Sequence, residues 1–380
     1  MQRVAIIAGK RTPIAKRGRA YASVHPADLL AGVFVDVVAS AAVPPDRVGE
    51  VLTGCTHQGG EQAVNIGRNA WLAAGLPLTV PATTMDTQRG SSQHAANLAY
   101  ALVASGQREL VVAAGVESLT RVPMFSTWQD KSPYSPAQLE RFDMPHQGVA
   151  SERMARKYAV SRADADAWGF ESHTRSAKAW ADDAFDPEIS LVNSDGRTLL
   201  EHDEGYRADT SLERLQQLEP SFEPGGVTTA GNASQLSDGA SAVILASEDV
   251  CDQLGLTPLA WITDTVTVGV DPELMLEGPI IATQMLLERN NLHIEEMEHI
   301  ELHEAFAVPI CAWLSIHQAD PGRVNPHGGA IGIGHPFGAS GTRQLAHLAH
   351  VLHAKPGSRG LQAMCAGGGI GTGTLLQSAG

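Results

Sequence analysis

The chain has 380 residues, 43% hydrophobic and 18% charged, the composition of a globular protein with a large core and room for two or three domains. Its net charge of −15 excludes general nucleic-acid binding, and an anionic substrate would need a local basic patch working against the overall field. Cys55, Cys251, Cys311 and Cys365 form no CxxC pair, which excludes a disulfide scaffold and points to free thiols in a reducing compartment. No apolar run approaches the ~20 residues of a membrane span. The opening segment reads as a first strand, not a signal peptide. The expectation is a cytoplasmic protein with no membrane or nucleic-acid partner.

In chain order, the β-branched run Val4–Ala8 predicts a buried strand, and apolar residues at helical spacing predict a helix over Pro26–Ala42. A strand follows at Val51–Cys55, a helix entered through Gly90-Ser-Ser at Ser92–Ala104, and a strand at Leu110–Gly115. The stretch from about 120 to 234 changes character. It holds most of the aromatics, Pro/Asp/Ser-rich runs such as Phe125–Pro136, and two polar amphipathic helices at Ala150–Tyr158 and Ala163–Trp180, and it reads as an inserted subdomain. The early grammar then returns. Gly338-Ala-Ser-Gly341 opens a helix at Gln344–Leu352, and a strand at Gly360–Cys365 ends in three glycines. Two copies of a helix-covered sheet unit suggest packed α/β layers, although strand–helix–strand units recur in any α/β protein.

Three segments carry chemistry. In Gly328–Gly341 the glycines 332, 334 and 338 crowd His335, an arrangement able to bring backbone N–H groups and an imidazole to one point, as oxyanion stabilisation requires. The GxxxxGK[ST] order of a phosphate loop is absent. Cys365 precedes Gly367-Gly-Gly369; a buried core cysteine is the common fate of a free thiol, but the glycines favour an exposed turn where it acts as acid or base. His303-Glu304 is compatible on spacing with an ordinary helix start. No HExxH or paired His/Cys spacing is present, so no metal is expected.

Taken together, Arg11-Thr-Pro13, Gly90-Ser-Ser-Gln-His-Ala95, Gly115-Val-Glu-Ser118, Thr229-Ala-Gly-Asn-Ala-Ser234 with Ser237-Asp-Gly-Ala240, His303-Glu-Ala-Phe-Ala307, Gly328-Gly-Ala330, Gly334-His-Pro336 and Cys365-Ala-Gly-Gly-Gly369 make the chain resemble a thiolase, an acyl-CoA:acetyl-CoA C-acyltransferase, from end to end. The resemblance implies a five-layered α-β-α-β-α fold of two similar halves: residues 1–120 with 235–252, then 253–380, with a coenzyme A-binding loop domain at 121–234. It implies a homodimer or homotetramer and thiolytic cleavage of 3-oxoacyl-CoA, with CoA as substrate and product and no prosthetic group. A ketoacyl-synthase condensing enzyme shares the fold but fits the Gly-His-Pro and late Cys pattern less well.

Carried over by resemblance, His335 is the base that activates the nucleophile, and Cys365 is the acid/base at the α-carbon of acetyl-CoA. His303, often Asn in the family, holds a water; with His335 it stabilises one oxyanion. The N–H groups of Arg89 and Gly367 form the other. His146, Arg207, Phe222, Ala230, Ser234 and Phe306 match CoA contacts. His303 leans toward the degradative side of the family.

The departure is Arg89, which stands where the family carries its nucleophilic cysteine. A guanidinium stays protonated and cannot form an acyl-enzyme. Three readings follow: a thiolase whose cysteine was replaced, inactive or nearly so as written; a non-catalytic acyl-CoA-binding homologue; or a non-covalent enolate or retro-aldol enzyme using His335 and Cys365. All require position 89, the imidazole of His335 and the sulfur of Cys365 to converge around one cavity.

Overall fold

The computed structural model describes residues 2–129 and 131–380. Five strands form one half of a mixed sheet: β1 (Val4–Arg11), β3 (Glu50–Gly54), β4 (Ala82–Met85), β5 (Leu110–Ser118) and β8 (Ser237–Ser247), with the two-residue β2 (Ala15–Lys16) beside β8. Strands β6 (Asn193–Ser194) and β7 (Arg197–Thr198) make a separate hairpin. The other half is β9 (Ala260–Gly269), β10 (Met297–Leu302), β11 (Arg359–Ala366) and β12 (Ile370–Ser378). The order is β10-β11-β12-β9-β1-β8-β5-β3-β4.

The halves match strand for strand. In the first, β3 runs parallel to β5, β5 antiparallel to β8, and β8 antiparallel to β1. In the second, β10 runs parallel to β11, β11 antiparallel to β12, and β12 antiparallel to β9. They join where Val4–Ile6 pair with Ala260–Ile262.

Helices cover both faces. On the outside of the first half lie α1 (Pro26–Ala41) and α2 (Ile66–Ala73). Between the halves lie α3 (Ser91–Ala104) and α11 (Ser340–His353), each touching strands of both. The insertion carries α4 (Pro136–Leu139), α5 (Gln147–Tyr158), α6 (Arg162–Ala181) and α7 (Leu212–Gln216); α8 (Glu248–Leu254) follows β8. Helix α9 (Gly278–Asn290) covers the outer face of the second half, with α10 (Ala307–His317) beside it. The result is the α-β-α-β-α layering expected from the sequence.

Strands covered on both sides must be apolar at every position, not at alternate ones. In β5, Leu110, Val112, Ala114 and Val116 face the outer core while Val111 and Ala113 face the central helices. The central layer is packed with small residues. A Cβ at Gly341 would lie 2.2 Å from the backbone N of Gln93, so glycine lets α11 start against α3.

Most predicted elements hold with shifted ends. Strand β5 runs three residues past Gly115, because Val116–Ser118 keep pairing with Ala240, Gly239 and Asp238 although Glu117 is charged. Helix α11 begins four residues before Gln344. Strands β4, β9, β10 and β12 were not legible as separate elements.

Candidate active site

His335 lies at the foot of α11, buried, with Nδ1 2.7 Å from Ser340 Oγ. The Ser340 hydroxyl donates its one proton to Pro336 O at 3.0 Å. It therefore accepts from His335 Nδ1–H, and the Nε2 lone pair faces the site. Nε2 makes no hydrogen bond to the described protein, nor does either ring nitrogen of His303. The two rings sit 4.2 Å apart between centroids. Burial pushes both imidazoles down, His303 to about 3, with Arg343 and Arg89 adding to the effect on each. Both are neutral at neutral pH, so His335 Nε2 is free to accept a proton.

Sequence spacing suggested that the loop's own N–H groups converge with the imidazole. They do not. His335 N–H donates to Gln235 O and Ser237 Oγ, Gly334 N–H to Ala330 O, Gly332 N–H to Ser172 Oγ and Gly338 N–H to Glu117 Oε2. The backbone donors are consumed in holding the loop, and the imidazole alone stays open.

Cys365 also corrects an expectation. The glycines do make a turn, but it starts after Ala366; Cys365 is the penultimate residue of β11 and 1% exposed. Burial raises its thiol to about 12 against the lowering effect of Arg89. The sulfur is thus a held proton, an acid and not a ready thiolate. Cys55, buried near Asp86 and Glu117, is pushed well above the usual thiol range by burial and those carboxylates, so it is no substitute nucleophile. All four cysteines are free.

Arg89 immediately precedes Gly90, the N-cap of α3. The guanidinium carbon lies 4.2 Å from the centroid of the Phe337 ring, and Nη2 is 3.9 Å from Met124 Sδ. Phe337 packs in turn on His335 at 4.7 Å and on His57 at 5.9 Å. At the same seam, a Cβ on Gly90 would lie 3.3 Å from Ala366 Cβ, and one on Gly367 would lie 3.1 Å from Gln88 Cγ. Position 89, the imidazoles and the end of β11 therefore converge. A cavity of about 640 Å³ is lined by Arg89, Gly367 and Gly368, together with His57, Met124, Trp128, Tyr134 and His146; His303, His335 and Cys365 are not among its lining residues.

Of the residues assigned to CoA by resemblance, four are contiguous. His146 and Phe222 have ring centroids 5.4 Å apart, Phe222 and Phe306 5.7 Å, and Ser234 N–H donates to Ala305 O at 3.1 Å. A Cβ at Gly148 would lie 2.2 Å from the Phe222 ring, so glycine in the first turn of α5 permits this contact. Arg207 and Ala230 are exposed, and nothing ties their side chains to that group.

Sequence reasoning gave no role to Ser340, Phe337 or two buried carboxylates, although both acids lie within motifs that carry the resemblance. Glu117 accepts from Thr56 N–H, His57 N–H, Gln62 Nε2 and Gly338 N–H. Glu304 accepts from Trp168, Ser172, Asn325 and the Ile331 N–H, clamping the insertion to the glycine loop. His299, Glu301 and His347 bring ligand atoms within 4.8 Å of one another, a grouping across β10 and α11 that motif spacing cannot reveal. Their side chains are engaged with one another and with Glu188, His327 and Arg343.

The thiolase N-terminal domain model matches residues 4–249 and the thiolase C-terminal domain model residues 256–378. The chain belongs to the thiolase family. It is 38% identical over 382 residues to the steroid 3-ketoacyl-CoA thiolase FadA6 of Mycobacterium tuberculosis, covering 98% of this chain and 93% of that one. It is 36% identical to the beta-ketoadipyl-CoA thiolase of Pseudomonas putida, covering 99% and 100%. The human mitochondrial 3-ketoacyl-CoA thiolase in complex with CoA superposes with a TM-score of 0.91 at 31% identity, covering 100% and 98%. No described helix is long and apolar enough to cross a membrane.

The tautomer argument in this thiolase-family site gives a first prediction. With a cysteine introduced at position 89, Ser340→Ala removes one neutral hydrogen bond, of about 1–1.5 kcal/mol. The expected result is a drop in kcat of roughly tenfold with KM little changed. An unchanged kcat would remove Ser340 as the residue that positions His335.

Proposed function

We propose that this chain binds acyl-CoA as thiolases do, and that it does not run covalent acyl transfer with Arg89 in place. The observation that carries the reading is the guanidinium of Arg89, buried on Phe337 at the position of the family nucleophile. The reaction for which the other groups are arranged is thiolytic cleavage of 3-oxoacyl-CoA to acetyl-CoA and a shortened acyl-CoA, with the degradative type favoured by His303. In that scheme the Nε2 of His335 takes the proton of the nucleophile and Cys365 supplies one to the acetyl α-carbon. The Nε2 of His335 and the water held by His303 stabilise one oxyanion, and the N–H groups of Arg89 and Gly367 the other. His146, Arg207, Phe222, Ala230, Ser234 and Phe306 hold CoA. A cytoplasmic homo-oligomer is the accompanying reading, consistent with four free thiols.

A second reading, enolate or retro-aldol chemistry without a covalent step, draws support from the Cys365 thiol. Held protonated by burial at about 12, it is suited to protonate a carbanion.

The test is calorimetric titration of the unmodified chain with CoA, followed by incubation with acetoacetyl-CoA plus CoA. Binding of CoA is expected, with no acetyl-CoA formed and no acyl mass added to the protein. An acyl group trapped on a cysteine would overturn the proposal. Acetyl-CoA formed without any acyl adduct, by direct attack of the CoA thiolate on the 3-keto carbon and protonation of the leaving acetyl-CoA enolate, would favour the second reading's non-covalent route.

A further inference from the structure

Three arginines are buried: Arg11, Arg89 and Arg343. Arg11 is paired with Glu188 and Asp203, and Arg343 stands 3.6 Å from Glu301. Arg89, 9% exposed, has no described carboxylate within salt-bridge distance. Its described contacts are an aromatic face and a thioether. A buried guanidinium without a counter-charge carries a desolvation penalty of several kcal/mol. It is also a strong, pre-shaped donor for a planar anion.

The surroundings define which anion. Asp86 lines the same cavity, but its oxygens accept from the Gln88 backbone and side chain at 2.6–3.4 Å, and burial raises its pKa. Glu117 is committed to four backbone and side-chain donors and to the His57 ring. The other polar lining includes Thr56, Gln88, Thr127, Tyr134, Gln138 and Gln147, with His57 engaged by Glu117 and His146 lowered by burial and by Arg89. The N-terminus of α3, a helix of fourteen residues, adds positive potential immediately beyond position 89. One guanidinium with no described carboxylate in salt-bridge contact, its fork planar, suits a carboxylate group. The apolar wall of Met124, Phe125, Trp128, Met144 and Met275 suits a methylene chain.

We propose that this cavity binds a carboxylate through Arg89, and that the carboxylate is borne on the short acyl chain of a CoA thioester. The position where the resemblance expects a nucleophile would instead select an anionic acyl group. The thioester half of this statement rests on the proposed CoA binding; the carboxylate half does not.

The test compares malonyl-CoA and succinyl-CoA with butyryl-CoA by calorimetry on the full chain, with free malonate titrated separately. At least one carboxylated thioester is expected to bind ten-fold or more tightly than butyryl-CoA, and malonate to bind weakly but measurably. Arg89→Met is expected to abolish the preference and the malonate binding. Arg89→Lys, which keeps the charge and loses the fork, is expected to retain part of both, and circular dichroism checks that each variant is folded. Equal affinities for the three thioesters, or a preference that survives Arg89→Met, would overturn the carboxylate site. If malonate binds in an Arg89-dependent way while neither CoA nor any thioester binds, the carboxylate site stands and the proposed CoA function falls.

Discussion

Arg89→Cys is expected to turn this chain into a working thiolase, raising thiolysis of a 3-oxoacyl-CoA by four to six powers of ten over the unmodified chain. That range is what removal of a single triad residue costs an unrelated covalent hydrolase, about six powers for the nucleophile or base. Three features support it. The new thiol would precede the N-terminus of α3, where the helix dipole favours a thiolate. His335 presents an unprotonated Nε2, fixed by the bond from Nδ1 to Ser340 and kept neutral chiefly by burial. The Cys365 thiol, already raised to about 12 by burial, would lose the one neighbouring cation that lowers it. Removal of the guanidinium would also open the cavity toward Phe337 and the imidazole behind it. The measurement is the steady-state rate with acetoacetyl-CoA and CoA, together with a mass increment at residue 89. If the variant binds CoA normally and stays inert, the surviving groups are not a competent thiolase set.

Arg11→Met is expected to cost about 3–5 kcal/mol of stability at neutral pH, the usual result of breaking a buried ion pair from one side. Arg11 is fully buried. Its Nε donates to Glu188 at 2.5 Å, and Nη1 and Nη2 donate to Asp203 at 2.7 and 3.2 Å. Asp203 also accepts from Ile14 N–H and Trp180 Nε1, so the arginine fastens the end of β1 to the insertion. Methionine fills similar volume but strands two carboxylates.

The cost should depend on pH in a defined direction. Burial pushes the Glu188 carboxyl up, but His347 and Arg11 outweigh it and hold it well below the usual range. A depressed carboxyl contributes stability that is complete above its unfolded pKa near 4.3 and disappears as pH falls toward the folded value. The gap between parent and variant should therefore be widest near pH 7 and narrow below about pH 4. Urea denaturation at the two pH values measures this. An equal gap at both would mean that lost packing, not charge, is responsible.

The extent of sequence legibility differs by residue. His335 is legible because glycines and a proline hem it in, but the use of those glycines is not: the loop spends its N–H groups on Ala330 O within the loop and on Glu117, Ser172, Ser237 and the carbonyl of Gln235, partners remote in sequence. Cys365 was found but placed on an exposed turn, because composition cannot tell the last buried residues of a strand from the turn that follows. Ser340, Phe337, Glu117 and Glu304 lie within segments the sequence singles out, but nothing local assigns them a role. A serine, a phenylalanine and two acids acquire their roles only from what lies across the fold.

By itself the sequence determined the reaction family, the layered α/β architecture and the anomaly at position 89, through the family resemblance that its ordered motifs carry. Tertiary structure decided which groups keep their protons, which stay open, and that among the described residues the guanidinium of Arg89 meets an aromatic face and a thioether. Those properties follow from burial and from contacts between segments hundreds of residues apart. The free energy of a charge is set by what surrounds it, and the linear chain does not contain its own surroundings.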